Sequence, residues 1–375
     1  MTDSSGTTPD WLPLLRPDMP SPTELAPFLE KISAADQFTN FGPLSKELEA
    51  DLAPIVPGPN DAPTQIVTTS SGTLALELTL LAFELPPNSP ILIPSLTFPA
   101  TATAVIRAGH TPVFADVDPD TWTLSPGLAQ STPNPFAAAL PVAIFGHPIN
   151  PLPWDDFTSN TNRPVLIDAA SAFGNQSIGN TTVTAFSLHT TKTLSAGEGG
   201  FVAAHDAKLI ESIRTTSNFG FVGEPGTIIS PGTNSKLSEY HAAVALANLQ
   251  RWQHSQTQRT FLAETYACSL TETLGDRVAL HNPETLWTRS VFVVRLPNQT
   301  VDQTLVDALA KDGIESRRWY HPPLHEHPAF ADYPRAGELA VTCTLAKELI
   351  GLPFHLKLTT EDIHRVVAAL DQHLA

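Results

Sequence analysis

AFSLHTTKTLSAGEGG, residues 185–200, places one lysine, Lys192, between a short apolar segment and a glycine-rich turn. A lysine in this setting is not an obvious solvated side chain. A lysine that attacks a carbonyl needs partial desolvation, because only its neutral amine is nucleophilic. Gly197, Gly199 and Gly200 would let the backbone turn tightly behind it. Taken alone, the stretch allows two interpretations: a carbonyl-binding lysine, or a surface lysine in a loop.

Short apolar runs alternate with helical patterns around this stretch. The runs predict strands at residues 66–69, 91–93, 112–117, 140–145, 165–168 and 184–188. Short continuous runs separated by helices are typical of a mostly parallel sheet that is covered on both faces. The predicted fold class is therefore α/β, and a helix at 206–215 and one long helix from 237 to about 274 are expected to close the region.

The pattern changes after about residue 275. Two strand-like runs and two helical runs follow, at residues 278–280, 291–296, 301–311 and 360–374. This mixture is typical of an α+β unit. We therefore expect an N-terminal segment (1–45), a large domain with the parallel sheet (46–255) and a smaller C-terminal domain (256–375).

The composition excludes several classes of function. The chain has 375 residues, with 21 basic and 38 acidic side chains and a net charge of −17. Nucleic acids and anionic membranes bind basic patches, so this charge argues against both as partners. The start of the sequence shows no pattern of a signal peptide, and the longest apolar run, near 137–145, is too short to span a bilayer. We expect a cytoplasmic enzyme or binding protein.

Metal-binding patterns are not evident in the sequence. The two cysteines, Cys268 and Cys343, form no motif that indicates a disulfide framework or a zinc site. His321 and His325 are four residues apart, but two prolines between them exclude a helical ligand pair. No metal is therefore expected.

Two further motifs precede the lysine. Thr69-Ser70-Ser71-Gly72-Thr73 joins a predicted strand to a predicted helix, where exposed N–H groups favour a phosphate; an ordinary helix N-cap is equally compatible. In Val165-Leu166-Ile167-Asp168, the carboxylate follows a buried strand, which is where ligands bind in open α/β sheets. Asp168 could keep a pyridine nitrogen protonated, or it could cap the next helix.

The order of these motifs strengthens them. A phosphate-binding turn, an acidic residue for a ring nitrogen and a lysine follow one another, and Asp168 and Lys192 lie 24 positions apart at the ends of successive predicted strands. Ser187, at the end of the strand before Lys192, adds a hydroxyl donor. This set favours pyridoxal 5′-phosphate (PLP), carried by Lys192 as a Schiff base.

The chain resembles the DegT/DnrJ/EryC1/StrS family of PLP-dependent sugar aminotransferases, which have the aspartate aminotransferase fold (type I). The matching residues are SGTLALELTLLAF (71–83), ILIPSLTFPATATAVIRAGHTPVFADVDPDTWTL (91–124), VLIDAASAFG (165–174), AFSLHTTKTLSAGEGG (185–200) and PGTNSKLSEYHAAVALANLQR (231–251). With weaker matches they extend over nearly the whole chain from about residue 39. The fold implied is a large domain with a mostly parallel central sheet between helices and a smaller C-terminal domain.

The resemblance also implies roles for single residues. Lys192 would carry the cofactor and shuttle a proton between it and the substrate carbon, and Asp168 would pair with the pyridine nitrogen. Phe98 would stack on the pyridine ring. The family often has glutamine or histidine at the position of Ser171, so this cofactor contact is shorter here and its role is open.

The phosphate of the cofactor would be bound from two subunits. Gly72, Thr73 and Ser187 would hold it within one chain, and Asn234 would reach the phosphate of the neighbouring subunit, which implies a homodimer with shared active sites. The stretch that family members use near the sugar nucleotide carries Arg317, Arg318, Tyr320, His321 and His325 here, and Lys236 could likewise meet a diphosphate. An exposed charged loop is the alternative for this last group.

The function implied is transfer of an amino group from glutamate to a keto group of a nucleotide-linked deoxysugar, expected to be dTDP-linked. The product would be an amino sugar for a surface polysaccharide such as lipopolysaccharide, or for a glycosylated metabolite. The residues do not distinguish amination at C3 from amination at C4. The alternatives are another fold-type-I reaction, such as a sugar dehydratase or lyase, and a non-catalytic PLP-binding regulator. Lys192 argues against the dehydratases of this family, which carry histidine there.

Overall fold

The structure is a computed structural model that describes residues 10–59, 63–223, 226–281 and 287–374. The first nine residues of the predicted N-terminal segment 1–45 lie outside the described residues. Within the described ranges, no helix combines the length and the apolar character needed to cross a membrane.

Seven strands form the centre of the molecule. They are β1 (Gln65–Thr69), β2 (Pro90–Pro94), β3 (Thr111–Ala115), β4 (Ala138–Ala139), β5 (Leu166–Asp168), β6 (Val183–Ser187) and β7 (Gly200–Ala204). Hydrogen bonding orders them as β3-β2-β4 and β5-β6-β7-β1. Parallel bridges from Ala139 to Val165 and from Val142 to Asp168 join the two groups edge to edge.

The sheet is mostly parallel, which confirms the predicted fold class. β2 pairs in parallel with β3 and β4, and β5 pairs in parallel with β6. The exception is β7, which runs antiparallel to both β6 and β1 and is absent from the predicted strands. Both faces are covered, because alternate residues of β2 belong to different core clusters: Leu92 to one, Ile91 and Ile93 to the other.

Twelve helices surround the sheets. They are α1 (Pro22–Ala35), α2 (Pro43–Leu52), α3 (Gly72–Ala82), α4 (Pro99–Arg107), α5 (Pro126–Ser131), α6 (Leu152–Thr161), α7 (Ala207–Ser217), α8 (Glu239–Gln250), α9 (Trp252–Leu274), α10 (Gln303–Lys311), α11 (Ala340–Glu348) and α12 (Thr360–His373). The count applies to the described ranges.

Two predicted elements were wrong. The strand expected at 140–145 is only the pair Ala138–Ala139, followed by a 3-10 turn at Ile144–Gly146, because Pro141 has no N–H to continue the ladder. The helix expected from 237 to about 274 is two helices that meet at Arg251, which has φ −99° and ψ 0°. The Arg251 guanidinium donates to Asp18 across this junction, at 3.1 Å.

The C-terminal part contains a second, antiparallel sheet. Its order is β10 (Ala279–Leu280), β11 (Phe292–Arg295) and β12 (Leu349–Leu352), and α9 and α12 pack together in the same core cluster. A small hairpin, β8 (Phe221–Val222) and β9 (Thr227–Ile228), precedes it in the chain. The predicted domain boundary at 255/256 falls inside α9, and the three-part division remains a prediction.

The segment at residues 10–20 connects distant parts of the chain. Leu12 N donates to Gly313 O at 2.7 Å, Glu315 N donates to Leu12 O at 2.9 Å, and Phe354 N donates to Leu14 O at 2.9 Å. The segment then passes over the carboxyl-terminal edge of the large sheet, where Leu15 lines a cavity.

A buried carboxylate fixes the start of α2. Glu239, in the first turn of α8, is fully buried. It accepts hydrogen bonds from Leu44 N at 2.6 Å, Ser45 N at 3.1 Å and Ser45 Oγ at 2.6 Å. Since the first N–H groups of a helix lack intrahelical acceptors, this carboxylate supplies acceptors that α2 needs.

Candidate active site

A cavity of about 390 Å³ opens at the carboxyl ends of the parallel strands. This is the edge where ligands bind in open α/β sheets. Eight predicted site residues line it: Gly72, Thr73, Phe98, Asp168, Ser171, Ser187, Lys192 and Tyr320. The other five, Asn234, Lys236, Arg318, His321 and His325, lie outside its lining.

Lys192 lies on the connection between β6 and β7. Backbone hydrogen bonds from Leu188 N to Gly199 O at 2.9 Å and from Ala196 N to Leu188 O at 2.8 Å close this connection into a compact loop. The Lys192 Nζ donates to Ser171 Oγ at 2.8 Å. Burial lowers the pKa of Lys192, and the nearby Asp168 carboxylate opposes this shift. A lysine with a lowered pKa is neutral, and so nucleophilic, for a larger fraction of the time.

Asp168 ends β5 and is buried beneath the lysine. Its Oδ2 accepts from Thr101 Oγ1 at 2.8 Å and its Oδ1 from Ala170 N at 3.1 Å. Burial raises the pKa of Asp168, while these two hydrogen bonds and the charge of Lys192 act in the opposite direction. A cationic N–H placed beside this carboxylate would further favour its ionised form.

The start of α3 packs closely against the ends of two strands. A Cβ added to Gly72 would lie 2.8 Å from Ser187 Cβ, and one added to Gly200 would lie 2.6 Å from Gly72 N. Gly72 and Gly200 therefore let the start of α3 approach the end of β6 and the start of β7 more closely than a residue with a Cβ would allow. Ser71 caps α3 by accepting from Leu74 N at 3.2 Å, and Thr73 lines the cavity beside it. The N–H groups and dipole of a helix start attract a phosphate.

Aromatic side chains form one wall of the cavity. The Phe98 side chain is 61% exposed, and its ring centroid lies 6.4 Å from that of Tyr320. Tyr320 stacks on Phe145, with 5.5 Å between centroids. Burial, followed by the Asp168 charge, raises the pKa of Tyr320, so its hydroxyl keeps its proton. The wall offers aromatic ring faces and one phenolic donor.

The loop at 317–325 brings only some of its expected residues to the cavity. Arg317 and Trp319 reach the lining, whereas Arg318 does not. Arg317 exchanges backbone hydrogen bonds with Gly351 of β12 at 3.2 and 2.7 Å, so the chain is extended and alternate side chains share a face. His325 is buried instead, with its Nδ1 2.7 Å from Ser95 Oγ.

Asn234 and Lys236 lie apart from the cavity. Lys236 Nζ donates to Asn234 Oδ1 at 2.8 Å and lies 5.1 Å from the centroid of the Phe219 ring. Burial lowers the pKa of Lys236. Asn234 itself is exposed and forms an antiparallel bridge with Asn218.

Some residues of the site are not predicted from the sequence. Thr101 binds Asp168 and also lies 2.9 Å, Oγ1 to Oγ1, from Thr97, which lines the cavity. Two hydroxyls four residues apart at a helix start are a weak signal that could have indicated them. Leu15 and Phe145 reach the cavity through tertiary packing, for which no local sequence signal exists.

The arrangement fits a PLP group. It combines an amine of lowered pKa, a buried carboxylate for a ring nitrogen, a close approach of the helix start at Gly72, and a wall of aromatic side chains. Lys192 would hold the aldehyde carbon, Asp168 the ring nitrogen, and the backbone at Gly72 the phosphate.

Comparison with known proteins agrees with this chemistry. Residues 23–371 match the DegT/DnrJ/EryC1/StrS aminotransferase family. The chain is 30% identical to protein Rv3402c of Mycobacterium tuberculosis, covering 99% of this chain and 92% of the relative. It is 31% identical to GDP-perosamine synthase of Caulobacter vibrioides, covering 82% and 85%. Among solved structures, DesI in the presence of its TDP-sugar product is similar with a TM-score of 0.86 at 28% identity, covering 97% of this chain and 93% of that one. The chain therefore belongs to the DegT/DnrJ/EryC1/StrS aminotransferase family, as a PLP-dependent sugar aminotransferase.

Proposed function

We propose that this protein transfers the amino group of glutamate to a keto carbon of a nucleotide-linked deoxysugar, with dTDP as the expected nucleotide. The observation that carries the proposal is that the Lys192 amine, the buried Asp168 carboxylate and Gly72 at the start of α3 line one cavity, with the pKa of Lys192 lowered by burial. The names of two relatives support the substrate class, since one is a GDP-perosamine synthase and DesI was solved with a TDP-sugar product.

Lys192 is proposed to move the proton that defines a transamination. PLP, when bound, supplies an electron sink that stabilises negative charge at the reacting carbon. Lys192 Nζ would take the proton from the α-carbon of the amino donor in the first half of the reaction, and would deliver a proton to the former keto carbon of the sugar in the second half. Ser171 Oγ, 2.8 Å from this nitrogen, would hold the amine in position.

Asp168 is proposed to keep a proton on the ring nitrogen. Its two hydrogen bonds from Thr101 and Ala170 orient the carboxylate and offset the effect of burial on its pKa. An ionised carboxylate at this position is the partner that a protonated pyridine requires.

The mouth of the cavity supports binding of an acidic substrate. The Arg317 side chain lines the cavity, is 57% exposed and lies 3.7 Å from Glu315. A guanidinium binds a diphosphate through paired N–H donors. Tyr320, which stays protonated, adds a neutral donor on the same wall.

We also propose a homodimer with shared active sites, in which Asn234 and Lys236 contact the cofactor or substrate bound by the neighbouring subunit. Exposed apolar residues near Asn234 support association: Phe219, Phe221, Ile228 and Ile229 are 45%, 42%, 61% and 65% exposed. Exposed apolar surface of this kind marks protein interfaces.

The test separates transamination from the alternatives. Glutamate is added to the PLP-loaded protein, with absorbance and 2-oxoglutarate as readouts, and keto-sugar nucleotides carrying dTDP, UDP and GDP are then screened by mass for the amino product. Lys192→Ala should lose turnover by about 10²–10⁴-fold, while Lys208→Ala, at the start of α7, should be unchanged. Loss of water without gain of nitrogen would indicate a dehydratase. PLP binding without a half-reaction for any donor would favour a regulator, and retained activity in Lys192→Ala would refute the assignment.

A further inference from the structure

A cluster of three potential metal-binding side chains, none of which lines the cavity, lies at His325, Glu326 and Cys343. His325 Nε2 lies 3.7 Å from Cys343 Sγ and 3.9 Å from Glu326 Oε1, and Cys343 Sγ lies 3.9 Å from Glu326 Oε1. His325 and Glu326 belong to a 3-10 turn, and Cys343 belongs to α11. Spacing along the chain does not indicate this cluster, because 17 residues separate Cys343 from Glu326.

The three distances match the size of a small cation. Because they are nearly equal, one central point lies about 2.2 Å from all three atoms. Zinc binds sulfur at about 2.3 Å, imidazole nitrogen at about 2.0–2.1 Å and carboxylate oxygen at about 2.0–2.2 Å. A zinc-sized ion would therefore fit near the centre of the triangle, and the exposed Glu326 side would leave a fourth position for water.

The histidine is oriented as a metal ligand is. Its Nδ1 lies 2.7 Å from Ser95 Oγ, which also accepts from His325 N at 3.1 Å. When Nδ1–H donates to this hydroxyl, the lone pair of Nε2 faces Cys343 and Glu326. Arg335 Nη2 donates to His325 O at 3.0 Å and fixes the backbone. Such contacts to the second ring nitrogen fix the tautomer and orientation of metal-binding histidines.

We propose that His325, Glu326 and Cys343 form a binding site for a divalent cation of the zinc class, with water as the fourth ligand. On binding, Cys343 releases its thiol proton to the solvent and coordinates as the thiolate, while His325 and Glu326 donate lone pairs without chemical change. The mixture of sulfur, nitrogen and oxygen ligands favours Zn²⁺ over Mg²⁺ and Ca²⁺, which prefer oxygen alone.

The position of the site gives it a structural consequence. The cation would fasten α11 to the turn at 324–326, and the chain leading into that turn carries Trp319 and Tyr320 of the cavity wall. Ser95, the partner of His325, lies two residues before Thr97 of the same cavity. Metal binding should therefore stabilise the loop that forms one wall of the active site.

The test uses the PLP-loaded protein without a histidine tag. Titration with Co²⁺, a spectroscopic substitute for Zn²⁺, should give one equivalent of tetrahedral d–d absorption in the red, where PLP does not absorb. In parallel, one equivalent of Zn²⁺ should protect one of the two thiols from a disulfide reagent. Cys268 is exposed and lies on α9, so it serves as an internal control that keeps reacting.

Variants distinguish this site from general binding by surface histidines and carboxylates. Cys343→Ser should abolish the Co²⁺ band, Glu326→Gln should weaken Zn²⁺ binding by about tenfold or more, and Cys268→Ser should bind as the unchanged protein does. Cys343 and Glu326 are partly or fully exposed, so both variants should fold, as circular dichroism would verify. Equal Co²⁺ spectra for Cys343→Ser and the unchanged protein, or unprotected thiols at equimolar Zn²⁺, would overturn the proposal.

Discussion

Replacing Gly72 by alanine should disrupt the proposed phosphate cradle more than the stability of the protein. The new Cβ would lie 2.8 Å from Ser187 Cβ and 3.1 Å from Ser187 Cα. An ordinary carbon–carbon contact is about 3.5–4.0 Å, so the start of α3 and the end of β6 must separate by about 0.7 Å. Since the Cα atom belongs to the backbone of a buried strand, a side-chain rotation cannot relieve the contact.

The cost of this separation can be bounded. Overpacking of a buried site costs about 1–3 kcal/mol. If the displaced backbone carries the phosphate donors, PLP binding would weaken by the same amount of about 1–3 kcal/mol. This corresponds to a fall in PLP affinity of about 5- to 150-fold. Folding without PLP should change by no more than that amount, because the separation affects one end of one helix.

The assay is a PLP titration of the apoprotein followed by absorbance, with thermal unfolding measured with and without PLP. Gly127→Ala is the matched control, because a Cβ there lies at an ordinary contact distance of 3.9 Å from Ser125 Oγ. Alanine has a higher helix propensity than glycine, so this variant should stabilise α5 by up to about 1 kcal/mol. Gly72→Ala should lose about 1–3 kcal/mol of the stabilisation that PLP provides, and Gly127→Ala should retain it. PLP affinity within twofold of the unchanged protein in Gly72→Ala would refute the cradle.

Three further predictions rest on buried polar groups. Thr101→Val removes a hydrogen bond that lowers the pKa of Asp168, so this pKa should rise. The acid limb of the activity–pH profile should then move to higher pH, and an unchanged limb would contradict the role of this carboxylate. Burial lowers the pKa of His147 to about 4 and that of His281 to about 3. Below about pH 6.5 the unfolded chain therefore binds more protons than the folded protein, and the free energy of unfolding should fall by about 2 kcal/mol per histidine at pH 5. Urea titrations between about pH 7 and pH 4 would measure this, and a free energy of unfolding that does not change with pH would disprove it. Glu239→Ala should lower the free energy of unfolding by about 3–5 kcal/mol, because it leaves the donors at the start of α2 without their buried acceptor. Chemical denaturation would measure this, and a loss below about 1 kcal/mol would argue against that contact.

The strands that carry the site are well predicted from the sequence. β5 and β6 begin and end within about a residue of the predicted runs, because buried parallel strands are continuous apolar segments with clear ends. Asp168 and Lys192 therefore come together at one edge, as the order of the motifs indicates. The same motifs indicate the DegT/DnrJ/EryC1/StrS family, and the comparisons confirm that the chain belongs to it.

The remaining features depend on tertiary contacts. The direction of β7 is set by its pairing with β6 and β1, and no local pattern in Gly200–Ala204 specifies a reversed strand. The choice of Arg317 over Arg318 as a cavity residue follows from pairing with Gly351, which is distant in sequence. The meeting of Cys343 with His325 likewise requires α11 to pack against the 3-10 turn. These contacts depend on the packed fold rather than on spacing.

The close packing around Gly72 also limits which substitutions can compensate for one another. Gly72 meets Ser187 and Gly200, and two of these three positions already have the smallest residue available. A second-site suppressor of Gly72→Ala can therefore reduce side-chain volume only at Ser187, and Ser187→Gly would remove the 2.8 Å overlap but leave the 3.1 Å contact with Cα. Selection for restored enzyme activity should therefore return true revertants far more often than compensated double mutants.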